Sequence, residues 1–128
     1  ELKFIQSYYH LLKTRYGNGI EMKLNIDNNA EKYLLPPLTL QLLVENAVKH
    51  NNVLKEKPLV IEITTLENDW LTVKNNLQKK TITVDSSMIG LNNIKEKFRL
   101  LEQPDVVIKE TSTEFIVVLP LLEVLNKA

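Results

Sequence analysis

Apolar side chains in the first sixteen positions fall at Leu2, Ile5, Tyr9, Leu12 and Tyr16, a three-to-four spacing that predicts a helix over 1–16. Gly17-Asn18-Gly19 stops it. From Ile20 the period changes to two, and "IEMKLNI" predicts a half-buried strand over 20–26. The polar run "DNNAEKY" at 27–33 reads as a loop. Pro36 and Pro37 then introduce a helix over 38–51, because proline suits a first turn. "NVLKEKP" is again a loop. Two alternating runs follow, 59–67, with Val60 or Ile61 opening the strand, and 70–76. The short turn between them predicts a hairpin. Residues 77–88 keep no steady period and read as a loop. Leu91, Ile94, Phe98 and Leu101 form one stripe and predict a helix over 90–102. "VVIKE" and "EFIVVLPL" close the chain as a second hairpin. There are no repeats. The order α-β-α-β-β-loop-α-β-β predicts an α+β fold, a two-layer sandwich whose mixed sheet is covered on one face by helices.

Composition narrows the functional classes. A chain of 128 residues fits one domain with a sizeable core. Its 16 basic and 16 acidic residues cancel, so no excess charge marks a nucleic-acid or anionic-membrane surface. Cysteine is absent, which excludes disulfides and thiolate metal sites. No apolar run approaches the roughly 18 residues of a membrane span. The chain opens without Met and inside a helical pattern, so we expect a fragment, with room for a membrane anchor in the missing part.

The helix over 38–51 carries the candidate chemistry. Leu40, Leu43, Val44, Ala47 and Val48 read as its core face, whereas Glu45, Asn46, Lys49 and His50 stand three or four apart and can share a polar edge. One reading is a solvated face with a Glu45–Lys49 ion pair worth about 0.3 kcal/mol. Asn46 argues against it, since Asn is a poor helix former that exposure does not reward. An amide oxygen beside a carboxylate suits Mg²⁺, which takes one or two protein ligands and leaves the rest to phosphates and water. Lys49, one turn on, can meet a phosphate as a point charge.

The stretch "LPPLTLQLLVENAVKHN" closely resembles the N-box of LytS-like sensor histidine kinases, and the likeness extends over nearly the whole chain. That family's ATP-binding domain belongs to the GHKL superfamily shared with gyrase and MutL, so the resemblance implies a sandwich of the Bergerat, histidine-kinase-like ATPase type. It implies ATP and Mg²⁺ as ligands, Asn46 on the metal, Lys49 on a phosphate and His50 lining the phosphate end. Glu45 becomes the candidate catalytic residue, as general base or water positioner.

Two glycine boxes of the family are altered. Asn75 stands where the family's adenine-binding Asp is expected, and Leu77 where the first Gly of that box should be. An Asn oxygen still accepts from the adenine amino group, without charge. Asn-Asn at a strand end is also an ordinary turn signal. In the second box Met88 replaces a Gly, while Gly90, Leu91 and Asn93 match. Gly90 at a helix mouth would leave the amides of Leu91 and Asn92 for a phosphate. Residues 77–88 would be the ATP lid. Lys79 and Lys80 in it read first as solvated.

By the same resemblance, residues 1–17 end a linker or dimerisation region and residues 18–128 form the ATP-binding domain. The expected partners are an upstream phosphoacceptor His domain of the same protein, dimeric in the intact kinase, and a response regulator. Nucleic acid is not expected as a partner. His10, in "SYYHLLK", does not match a phosphoacceptor motif and reads as a structural or surface residue. The fragment is expected to be monomeric, unable to autophosphorylate alone, and the cytoplasmic domain of a bacterial inner-membrane sensor. The competing readings are a degenerate signalling module that binds nucleotide weakly or not at all, a self-contained gyrase-like ATPase, and a plain α+β domain with a chance motif.

Overall fold

A computed structural model describes residues 2–26, 33–34, 39–66, 69–78 and 87–123. Helix α1 spans Leu2–Tyr16 and passes into a single 3-10 turn over Gly17–Gly19. Gly17 takes the left-handed region at φ 59, which only glycine adopts without strain, and so turns the chain into strand β1, Ile20–Asn25. Strand β2 is Tyr33–Leu34 and helix α2 is Thr39–His50. Strands β3, Leu59–Leu66, and β4, Trp70–Asn76, form the first hairpin. Helix α3 spans Ser87–Leu100, followed by β5, Val107–Glu110, β6, Glu114–Pro120, and β7, Leu122–Glu123.

Five strands make one mixed sheet in the order β1-β3-β4-β6-β5. Only β1 and β3 run parallel, with Ile20 opposite Leu59. Parallel neighbours need a long crossover, and α2 lies within this one. The remaining pairs are antiparallel. The alternating pattern of the sequence decides which side faces the helices. Leu59, Ile61 and Ile63 of β3, Leu71 and Val73 of β4, and Val117 and Leu119 of β6 are buried. Against them pack Ile5 and Leu12 of α1, Leu40, Leu43, Val44 and Ala47 of α2, and Leu91, Ile94 and Phe98 of α3. Phe98 is fully buried, which contributes about 1.5–3 kcal/mol. On the opposite face, Lys74 bridges Glu62 and Glu114, each at 3.3 Å. Those two carboxylates, Glu114 first, raise the ammonium pKa, but at this exposure the pairs add little stability. The α+β architecture with a mixed sheet is therefore the one the sequence predicts.

Four local differences matter. Strand β3 begins at Leu59, earlier than Val60 or Ile61. A two-stranded ladder pairs β2 with β7, with Tyr33 opposite Glu123, where residue 33 reads as loop and Leu122–Glu123 lie past the last predicted strand. Pairs so short carry no period that a sequence could display. Helix α3 begins at Ser87, three residues before Gly90, so the loop predicted over 77–88 is shorter at its C-terminal end. It also ends two residues early, at Leu100. There Glu102 adopts φ 57, its N–H donates to Arg99 O at 2.9 Å, and the Gln103 N–H donates to Phe98 O at 3.0 Å. That is a Schellman cap with glutamate in the place glycine prefers. No described helix is long and apolar enough to cross a membrane.

Candidate functional site

Helix α2 buries Leu40, Leu43, Val44 and Ala47 against β3 and β4 and packs beside both α1 and α3. Its rotation is thereby fixed, and the polar residues are sorted by position around it. At 3.6 residues per turn, Gln41 and Glu45 share one flank, and Asn46 and His50 lie roughly 100° or more further round. Lys49 lies between them and is exposed.

The Glu45 flank faces α1. Gln41 Nε2 donates to Glu45 Oε1 at 2.8 Å. The half-buried Tyr8 of α1 lies within electrostatic reach of the Glu45 carboxylate. Burial, then the negative charge of Glu45, pushes the Tyr8 hydroxyl above its ordinary pKa of 10.0. The four residues expected on one edge are thus divided, with Glu45 turned towards α1 and Asn46 and His50 on the other flank. Gln41 Oε1 is buried without a donor among the described residues.

The end of α2 is tied to the end of β4. Asn51, buried directly after the helix, donates from Nδ2 to Ala47 O at 2.9 Å and accepts the Gln78 N–H on Oδ1 at 2.8 Å. The Asn52 N–H donates to Gln78 O at 2.8 Å. Gln78 Nε2 donates onward to Asn52 O at 3.0 Å and Lys57 O at 2.9 Å. Asn76 completes the junction, accepting the Val60 N–H at 2.7 Å and donating to Pro58 O at 3.1 Å. Side-chain amides here replace ladder hydrogen bonds that the chain has run out of strand to make. In the sequence Asn51 reads only as the end of a helix and Asn76 only as part of a turn signal, and no pattern marks Gln78. An Asn just past a helix end is a recognised stop signal, and "HNN" carried it.

Asn75 continues the buried row of Leu71 and Val73 and is 5% exposed. It sits between Ile61 of β3 and Phe115 of β6. A polar side chain in that row is costly unless bonded. Its Nδ2 donates to Asn76 O at 2.8 Å, which presents Oδ1 as the acceptor of the amide. Leu77, at the first altered glycine, donates its N–H to Thr113 O at 2.9 Å.

The second glycine box is corrected by the fold. Because α3 starts at Ser87, the described N–H groups free of intrahelical partners at its mouth are those of Ser87, Met88 and Ile89. The Leu91 and Asn92 amides belong to the helical ladder, and the Leu91 side chain is core. Asn93 is exposed. Lys79 and Lys80 fall outside the described residues, as does most of the expected lid. His10 is exposed on α1, as the sequence reading expects. Among the described residues no group of three or more His, Cys, Asp or Glu could hold a metal ion. A Mg²⁺ ion held by one amide oxygen and phosphates needs none.

Comparison with known proteins follows the same direction. No family model matches the chain. The sensor protein LytS of Bacillus cereus is 36% identical over 81 residues, covering 61% of this chain and 14% of the relative. The YwpD protein of Bacillus subtilis is 30% identical over 124 residues, covering 87% of this chain and 44% of its own length. The chain therefore spans less than half the length of these relatives. Among solved structures, the Acinetobacter baumannii histidine kinase AdeS superposes with a TM-score of 0.57 at 12% identity, over 98% of this chain and 64% of that one. The mycobacterial sensor histidine kinase MprB gives 0.55 at 12% identity, over 95% of each chain.

Proposed function

Because this chain is homologous to the LytS sensor histidine kinases and has the fold of histidine-kinase ATPase domains, we propose that it is the ATP-binding catalytic domain of a two-component sensor kinase. The observation that carries this reading is the junction at Asn51 and Gln78. It holds the end of the N-box helix against the strand end that bears Asn75. Two polar motifs far apart in sequence thereby border one region.

In this reading Asn46 offers its amide oxygen to Mg²⁺, and Lys49 and His50 line the phosphate end. Asn75 accepts from the adenine amino group through Oδ1. The N-terminal turn of α3 presents the Ser87–Ile89 amides to phosphate, where the helix dipole favours negative charge. Asn93, one turn further, serves as an outer polar contact, and Leu91 only packs beneath. The bound Mg-ATP supplies the phosphoryl group, and the protein's part is positioning and charge neutralisation. The acceptor is a histidine of an upstream domain, and a response regulator receives the phosphoryl group next. Residues 18–128 would form the nucleotide domain on the cytoplasmic side of a membrane sensor, with residues 1–17 closing the linker. The domain alone is monomeric.

The pinned Leu77 backbone favours a second reading, a degenerate module with weak nucleotide binding, since a strand end so tied lacks a glycine's freedom. Thermal unfolding with ADP, with and without Mg²⁺, separates the two. Ligand at about 100 times its dissociation constant stabilises by about 2.7 kcal/mol. We expect a Mg²⁺-dependent rise in Tm that Asn46→Ala abolishes. No rise at millimolar nucleotide would select the degenerate module.

A further inference from the structure

The core joins helix layer to sheet, but the two ends that border the candidate site lie past it. The last buried apolar side chain of α2 is Ala47, and that of β4 is Val73. The end of β4 is fixed within the sheet. Asn76 holds the Val60 N–H and Pro58 O around the start of β3, and the Leu77 N–H donates to Thr113 O. The last turn of α2 belongs to the other layer, and Asn51 crosses between the two. It is 3% exposed, and its one amide group acts twice. Nδ2 closes the helix on Ala47 O at 2.9 Å, while Oδ1 takes the Gln78 N–H at 2.8 Å, from 27 positions away. The bond from the Asn52 N–H to Gln78 O runs beside it at 2.8 Å. A glycine would end the helix as well, so a stop signal does not account for the bond to the strand end. An amide supplies both a donor and an acceptor there without burying a charge.

We propose that Asn51 is a positioning residue of the nucleotide site, setting the distance between the strand end that holds the base and the helix end that meets the phosphates. It touches no ligand. The inference rests on the nucleotide-binding reading above. In that reading adenine lies at Asn75, and phosphate lies at Lys49 and His50, the two residues before Asn51. A ligand that bridges two layers binds according to how well their separation matches its own length. A ligand held at one end is indifferent to that separation. Loss of the Asn51 side chain should therefore penalise a nucleoside diphosphate and spare the nucleoside.

The test titrates this chain with ADP and, separately, with adenosine, both in Mg²⁺ and well below each variant's Tm. Asn51→Ala should weaken ADP binding about tenfold and adenosine binding less than about twofold. Leu119→Ala is the control for lost stability alone. It removes a buried side chain of β6, four residues from the Phe115 that neighbours Asn75, and should leave the ratio of the two affinities as in the parent chain. Amide hydrogen exchange reads the same device in the parent chain. ADP selects the closed junction, so saturating ADP should slow exchange of the Gln78 N–H at least about tenfold, and adenosine less than about twofold. The proposal is overturned if Asn51→Ala weakens ADP and adenosine equally, or if Leu119→Ala shifts their ratio as far. It is equally overturned if both ligands protect Gln78 alike, or if the parent chain binds ADP no more tightly than adenosine. Should Asn51→Ala fail to fold, the exchange measurement decides alone. A parent chain that binds neither ligand would sink the nucleotide reading itself, an outcome seen before any variant is made.

Discussion

Replacing Asn51 by alanine tests the junction that brings the two halves of the site together. The side chain makes two hydrogen bonds, a buried one to Ala47 O at 2.9 Å and a part-buried one from the Gln78 N–H at 2.8 Å. Each contributes about 1 kcal/mol net. The two losses are unequal in their consequences. Ala47 O keeps a second lone pair and its helical partner, so its loss is near that average. The Gln78 N–H is part-buried and left without an acceptor, which costs about 1–3 kcal/mol. The expected loss is therefore about 2–4 kcal/mol. An unfolding entropy of about 2.1 cal/mol/K per residue gives about 0.27 kcal/mol/K for the 128-residue chain, so about 3 kcal/mol lowers Tm by about 11 °C. Asn52→Ala is the control. Its bonds to Gln78 are made by backbone atoms and survive truncation, so it should cost less than about 0.5 kcal/mol. Paired urea and thermal melts read both. If Asn51→Ala costs under about 1 kcal/mol, or no more than Asn52→Ala, the junction does not hold α2 to β4 as described.

Two further outcomes follow from particular atoms. Tyr8 has a raised pKa in the folded chain, so the folded state holds the phenolic proton more tightly than the unfolded one. Its contribution to stability is complete below the unfolded value of 10.0 and is lost as pH rises through the folded value. Denaturation midpoints measured from pH 9 upwards should fall, and Tyr8→Phe should flatten that fall; an unchanged slope in the variant would refute the burial and carboxylate effects assigned to Tyr8. At the end of α3, Glu102 holds a left-handed conformation at φ 57, which costs a non-glycine residue about 1 kcal/mol. Glu102→Gly should raise stability by about 0.5 kcal/mol once the added freedom of the unfolded chain is subtracted, and any loss of stability in the melt would contradict the cap.

The sequence by itself determined the elements and their facing. Period-two runs at 59–66 and 70–76 and three-to-four stripes in the helices decided which side of each element is buried, because burial of apolar area dominates folding. Asn46, Lys49 and His50 were legible as candidates for the same reason: they are polar on a helix whose other positions are committed to the core. What the sequence could not hold is any relation between elements. Glu45 and Asn46 are neighbours in sequence and read as one edge, yet they lie about 100° apart round the helix, and only the packing of α2 between α1 and α3 fixes what each flank can face. The start of α3 moved ahead of Gly90, shifting the free amides to Ser87–Ile89, because Ser, Met and Ile can enter a helix whose stripe begins only at Leu91. Asn51 and Gln78 lie 27 positions apart and meet only once the sheet closes. Hydrogen bonds of that kind leave no period along the chain. They depend on where backbone groups fall short of a partner, and that is decided in three dimensions.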